Sequence, residues 1–127
     1  EKHKIKRIVI DSITSFSLLF ESEIAKREAA LTLFDLTREW GCTSLLTLER
    51  ELKEEDMSAV SSTPLEFEAD GIVLLYFIRE KTKRQRLIEV LKMRGSTHSR
   101  EIYPFEITIH GIKLGPTGVG DIKRLKS

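Results

Sequence analysis

Lys92-Met93-Arg94-Gly95-Ser96-Thr97-His98 decides how this chain is read. The run closes an expected strand, and side chains alternate along a strand, so Lys92 and Arg94 fall on one face. Cations side by side on one face repel unless an anion or an acid lies between them. Gly95 permits close approach or an unusual dihedral. Ser96, Thr97 and His98 add donors. Such a group could hold a polyphosphate. The same residues also fit a solvated edge strand protected by charge, and the residues alone leave both readings open. His98 by itself reads as a loop histidine, and no His/Cys/Asp grouping has metal-site spacing.

Working outward, residues 71–80 (GIVLLYFIRE) and 84–94 read as two strands of a long hairpin with a polar turn at 80–83. Residues 103–109 are a further strand and 111–114 a short last one. Upstream, residues 5–10 (IKRIVI) are apolar on both faces, as a buried parallel strand is. Ser22 is a helix N-cap with Glu23 in the first turn. Ile24, Leu31, Phe34 and Trp40 follow helical spacing, and Gly41 stands where a terminal glycine stops a helix. Residues 43–48 are a second apolar strand, so residues 1–48 form a right-handed parallel strand-helix-strand unit. Residues 49–64 are acidic, then rich in Ser and Thr, as a surface loop is; residues 65–69 lead into the sheet as a helical turn. The expected domain covers 1–114, with 115–127 a tail or linker. Trp40, the phenylalanines and Cys42 are expected in the core.

Hydrophobic residues at 40% and charged residues at 32% are globular values, so disorder is excluded. A net charge of +1 exerts no general pull on nucleic acid. The basic turn at 81–86 is the one local exception, and it reads equally as a solvated surface. One cysteine excludes an internal disulfide and fits a reducing, cytoplasmic setting. No apolar run reaches the roughly 18 residues of a membrane span. The chain starts at Glu1 rather than Met, so it is expected to lie inside a longer protein.

Asp11 follows four apolar residues at the carboxyl end of the first strand. That is the pattern of a Walker B acid, which helps hold the Mg²⁺ of a bound nucleotide; it is also the pattern of an ordinary strand-terminal Asp. Ser12 would donate to metal-bound water or cap the turn. Glu49 ends the second parallel strand near Asp11 and would polarise active-site water, or simply begin the acidic loop. The phosphate-cradling partner of such a site is G-x-x-x-x-G-K-[ST]. Residues 115–120 (GPTGVG) have the glycine spacing, but Asp121 repels phosphate and Pro116 removes an N–H. A working P-loop is therefore expected upstream of Glu1, or missing.

The strand IVIDS (8–12), GCTSLLTLE (41–49), FEADGIV (67–73), LKMRGSTHS (91–99), YPFEIT (103–108) and HGI (110–112) occur in one order. In that order they closely resemble the nucleotide-binding domain of KaiC and its archaeal relatives in the RecA ATPase superfamily. The resemblance implies an α/β fold: the C-terminal portion of a RecA-like P-loop NTPase core, a parallel strand-helix-strand unit followed by an antiparallel hairpin and further strands. It implies ATP and Mg²⁺ as cofactors, with ATP lying between subunits of a homo-oligomer such as a hexameric ring. Lys92 and Arg94 would then reach a neighbour's phosphates in trans, with Met93, Ser96 and His98 lining the pocket and Thr108 near the base or ribose. Asp11 would serve Mg²⁺ in cis. The family often carries an acid after that threonine, where this chain has Ile109.

The competing expectation is a degenerate, non-enzymatic module that oligomerises or binds a partner without nucleotide. Alone, the chain is expected to be an incomplete, inactive half-site. A nucleic-acid or protein partner has no clear support in these residues.

Overall fold

The computed structural model describes residues 5–49, 68–80 and 82–116. The chain divides into two compact units, residues 1–69 and 70–127. Most of the expected acidic loop and of the expected tail lies outside the described residues.

In the first unit the order is β1 (Arg7–Ile10), α1 (Ile13–Ser17), α2 (Glu23–Glu39) and β2 (Thr43–Leu46). β1 and β2 pair in parallel, from Arg7 opposite Thr43 to Ile10 opposite Leu46. The crossover helix is what permits that pairing. Ser22 starts α2: its backbone is extended at φ −106° and ψ 149°, and its hydroxyl accepts from the Ala25 amide at 3.1 Å. Glu23 sits in the first turn, where a negative charge suits the helix dipole. Gly41 ends the helix at φ +62°, a conformation that a side chain resists. Its amide reaches the Arg38 carbonyl at 2.9 Å.

The buried stripe of α2 differs from the expected one. It is Ala30, Phe34 and Thr37, at helical spacing, whereas Ile24 and Trp40 lie exposed, Trp40 by 56%. Thr37 is tolerated there because its hydroxyl donates to the Phe34 carbonyl at 2.8 Å. Cys42 is half-buried and its thiol donates to the Thr37 carbonyl at 3.6 Å. β1 is parallel as expected but not buried on both faces, since Val9 is 65% exposed. The short helix α1 was not expected at all; its Ile13 is buried.

The second unit is an antiparallel sheet in the order β3-β4-β5-β6. β3 is Gly71–Glu80, β4 Lys83–Met93, β5 Tyr103–Thr108 and β6 Gly111–Leu114. The hairpin β3–β4 closes with Glu80 opposite Lys83 and opens with Gly71 opposite Met93, with one irregularity between Ile72 and Val73. On one face Ile78 and Leu87 are buried, Leu87 with no exposed surface; the register that sets Leu87 opposite Pro104 puts the buried Phe105 on the other face. Tyr76 lies opposite Leu87 and its hydroxyl donates to the Glu89 carboxylate. Burial, aided by that hydrogen bond and the negative charge of Glu89, raises the Tyr76 phenol above its usual range.

Along β3 that other face lies open. Phe77 is 56% exposed, with the Arg84 and Arg86 guanidinium groups 5.2 and 5.3 Å from its ring centre. Stacked cations take the place of apolar neighbours there, which corrects the expectation that every phenylalanine is interior.

Candidate functional site

The first cluster lies in the first unit, at the carboxyl ends of β1 and β2. Asp11 directly follows β1 and is exposed, and the Asp11–Ser12 peptide is cis. Extending the parallel register by one step sets Thr47 beside Asp11, and the Thr47 hydroxyl donates to Asp11 Oδ1. The Thr47 amide donates to the Ile10 carbonyl at 3.0 Å, and the Thr47 carbonyl accepts from the Ile13 amide at 2.8 Å. Ser12 takes the capping option: its hydroxyl accepts from the Ser15 amide at 3.3 Å, at the head of α1. The Glu49 amide donates to the Thr14 hydroxyl at 2.9 Å, which ties the exit of β2 to α1. Asp11, Ser12 and Glu49 therefore share one end of this small parallel sheet.

Among the described residues, no group of three or more His, Cys, Asp and Glu side chains could hold a metal ion. Mg²⁺ takes one or two protein carboxylates and completes its shell with phosphates and water. A single exposed carboxylate with one oxygen held by a hydroxyl fits that chemistry.

The second cluster lies in the second unit, where β4 leaves the sheet. Lys92 is still in the strand, opposite Ile72, but the strand ends at Met93 and Arg94 is the first residue of a turn. Strand alternation thus does not set the direction of Arg94. Asp70 does: it accepts the Arg94 amide through its carbonyl at 2.7 Å and the Arg94 guanidinium through Oδ1 at 3.2 Å. Gly95 has φ +70°, and a Cβ there would meet nothing within 4 Å; the glycine serves the turn conformation rather than a tight internal fit. Ser96 donates to the Thr97 carbonyl at 3.2 Å. His98 donates from Nδ1 to the Ser99 carbonyl at 2.9 Å, which leaves Nε2 as its other ring position. All of these groups are exposed except Lys92, which is half-buried.

Thr108 sits at the end of β5. Its hydroxyl donates to the Gly111 carbonyl at 2.9 Å and accepts from the His110 amide at 3.2 Å, closing the β5–β6 turn. Thr47 and Asp70 are the residues that motif reading passed over. Each becomes visible only when a strand pairing is carried one step past its end, Ile10–Leu46 to Asp11–Thr47 and Gly71–Met93 to Asp70–Arg94.

No helix among the described residues is long and apolar enough to cross a membrane. The family model described as "ATPase: KaiC" matches residues 1–119. The circadian clock oscillator protein KaiC of Synechococcus elongatus is 33% identical over 119 residues, which is 93% of this chain and 22% of that protein. KaiC of Nostoc sp. is 36% identical over 118 residues, with 92% and 22% covered. A crystal structure of a KaiC-like protein from the hyperthermophilic archaeon Pyrococcus horikoshii matches with a TM-score of 0.71 and 37% identity, covering 87% of this chain and 49% of that one. The chain thus spans about a fifth of these curated relatives and about half of the solved one. With that match running through both the parallel unit and the antiparallel sheet, the chain belongs to the KaiC family of RecA-type ATPase domains.

Proposed function

We propose that this chain supplies two parts of an ATP-hydrolysing site that lies between subunits of a homo-oligomeric ring. Asp11 serves the Mg²⁺ of the nucleotide bound to its own subunit. Lys92 and Arg94 act in trans on the phosphates bound to a neighbour. The observation that carries this reading is the position of Asp11, an exposed carboxylate at the carboxyl end of a parallel strand. Ligands of open α/β sheets bind beyond that end.

Asp11 would hold the Mg²⁺, which when bound would supply positive charge that offsets the negative charge building on the phosphates. The chain's own residues bind and orient. Lys92 and Arg94 bring fixed positive charge to the same oxygens. The turn at Gly95 leaves the backbone open to approach, with Met93, Ser96 and the Nε2 of His98 lining the phosphate side. Thr108 lies toward the base or ribose. Glu49 would polarise the attacking water, and Ser12, whose hydroxyl caps α1, would retain its O–H for a metal-bound water. No residue of the chain is assigned as general base, and the phosphate-cradling loop is assigned to sequence upstream.

The reading is tested by mixing in a full-length protein that carries this chain behind a P-loop. Arg94→Ala and Asp11→Asn are each expected to lower ATP turnover at least about 10³-fold, as loss of a trans arginine does. Mixed rings of the two variants, verified by native mass spectrometry, regain measurable turnover, because some interfaces join an intact Asp11 to an intact Arg94. Mixed rings as inactive as the parents would defeat the shared site, and wild-type turnover in Arg94→Ala alone would remove that residue from it.

A further inference from the structure

We infer that Thr47 is a positioning residue for Asp11, fixing which carboxylate oxygen faces the divalent cation of the bound nucleotide. The inference rests on the reading of Asp11 as the Mg²⁺ carboxylate.

Thr47 is held before its side chain does anything. Its amide donates to Ile10 on one side of Asp11, and its carbonyl accepts from Ile13 on the other. Those bonds belong to the peptide groups and do not depend on the identity of residue 47. Thr is also stiff at χ1 because it is branched at Cβ. The hydroxyl is thereby delivered to one place, Oδ1 of Asp11. Among the described residues no other hydrogen bond reaches that carboxylate. Without Thr47, an exposed Asp side chain turns freely about its Cα–Cβ and Cβ–Cγ bonds. Ordering it would then be charged against cation binding. With Oδ1 held toward β2, Oδ2 is the oxygen left for the ion. Supporting groups behind a metal ligand commonly change metal affinity about 10- to 100-fold.

The test uses a full-length protein carrying this chain, loaded with a non-hydrolysable ATP analogue and titrated with Mn²⁺ as a probe, free Mn²⁺ being read by electron paramagnetic resonance. Thr47→Val keeps the branched shape and the backbone bonds but removes the donor. It is expected to weaken Mn²⁺ binding about tenfold, the lower end of that range. Thr47→Ser restores the donor and returns affinity to near wild type. In parallel turnover assays Thr47→Val raises the Mg²⁺ concentration needed for half-maximal rate, and saturating Mg²⁺ recovers the rate. Wild-type Mn²⁺ affinity in Thr47→Val overturns the inference, as does weakening in Thr47→Ser equal to that in Thr47→Val, since restoring the hydroxyl would then not restore the site. Should the Val variant fail to fold, Thr47→Ala is read by the same criteria. Asp11→Asn separates the two levels. If it weakens Mn²⁺ binding while Thr47→Val does not, the positioning role alone falls; if it leaves Mn²⁺ binding unchanged, the metal reading of Asp11 falls and takes the role of Thr47 with it.

Discussion

Asp11 and Thr47 meet although 36 positions separate them, whereas the candidate phosphate-facing residues from Lys92 to His98 are consecutive. The first arrangement needs a whole crossover helix, because parallel strands cannot be joined by a tight turn. The second needs only a strand end and a turn. The candidate cluster of the first unit therefore depends on long-range order, and that of the second on local chemistry held by an antiparallel hairpin. The difference decides which variants disturb one unit and spare the other.

Arg94→Ala has the largest expected effect and sharpens the contrast most. In the full-length protein it removes turnover by about 10³-fold or more and leaves binding of a fluorescent ATP analogue largely intact. Loss of analogue binding to the same degree would mean that Arg94 holds the ground state rather than the transition state. Leu87→Ala comes next. Leu87 has no exposed surface, and emptying such a site costs about 2–5 kcal/mol. Amide exchange in the chain is expected to quicken across residues 70–116 and to stay slow in α2; equal quickening in α2 would show one cooperative body.

Tyr76→Phe has a smaller effect with a distinct pH signature. It leaves the Glu89 carboxylate without its phenol partner, at a cost of about 1–3 kcal/mol. The phenol value is raised in the folded state, so the folded chain keeps a proton that the unfolded chain releases near pH 10. That stabilisation is fully present below about pH 10 and is lost as pH rises toward the folded value. The variant is expected to show a flatter alkaline limb in urea-unfolding free energy; an unchanged limb would remove Tyr76 as its source. The smallest effect is that of Ser22→Ala, which deletes the cap of α2 for about 1 kcal/mol. Its exchange signature is expected in α2 and not in β3 or β4.

How much was legible in the residues follows the same division. Ser22, Gly41 and the whole of β6 were readable, because caps and short strands are set by local chemistry. Strand ends moved by a few residues; the second strand was expected to run to Leu48 and stops at Leu46, just before Thr47, whose backbone bonds Ile10 and Ile13. The observed stripe departs from the expected one because hydrophobicity alone does not set burial. Trp40 sits at the C-cap of α2, where the chain already leaves the buried face, while polar Thr37 is inside because it can bond its own helix. α1 escaped notice because its five residues carry no periodic signal of their own. In the site, charged and glycine-rich residues were visible as a motif, but Thr47 and Asp70 were not, since neither stands out until its cross-strand neighbour is known.

Arg94 is joined to Asp70 twice, once through its backbone and once through its guanidinium. The two bonds have different fates when an anion arrives. The guanidinium pair is at the surface, where such pairs contribute only about 0–1 kcal/mol, so under the proposed function a neighbour's phosphate can compete for it. The amide bond is indifferent to where the side chain points. In its proposed trans role Arg94 is a swinging arm on a fixed pivot: the tip would be handed from an internal acid to an incoming ligand while its shoulder stays bolted to the root of the hairpin.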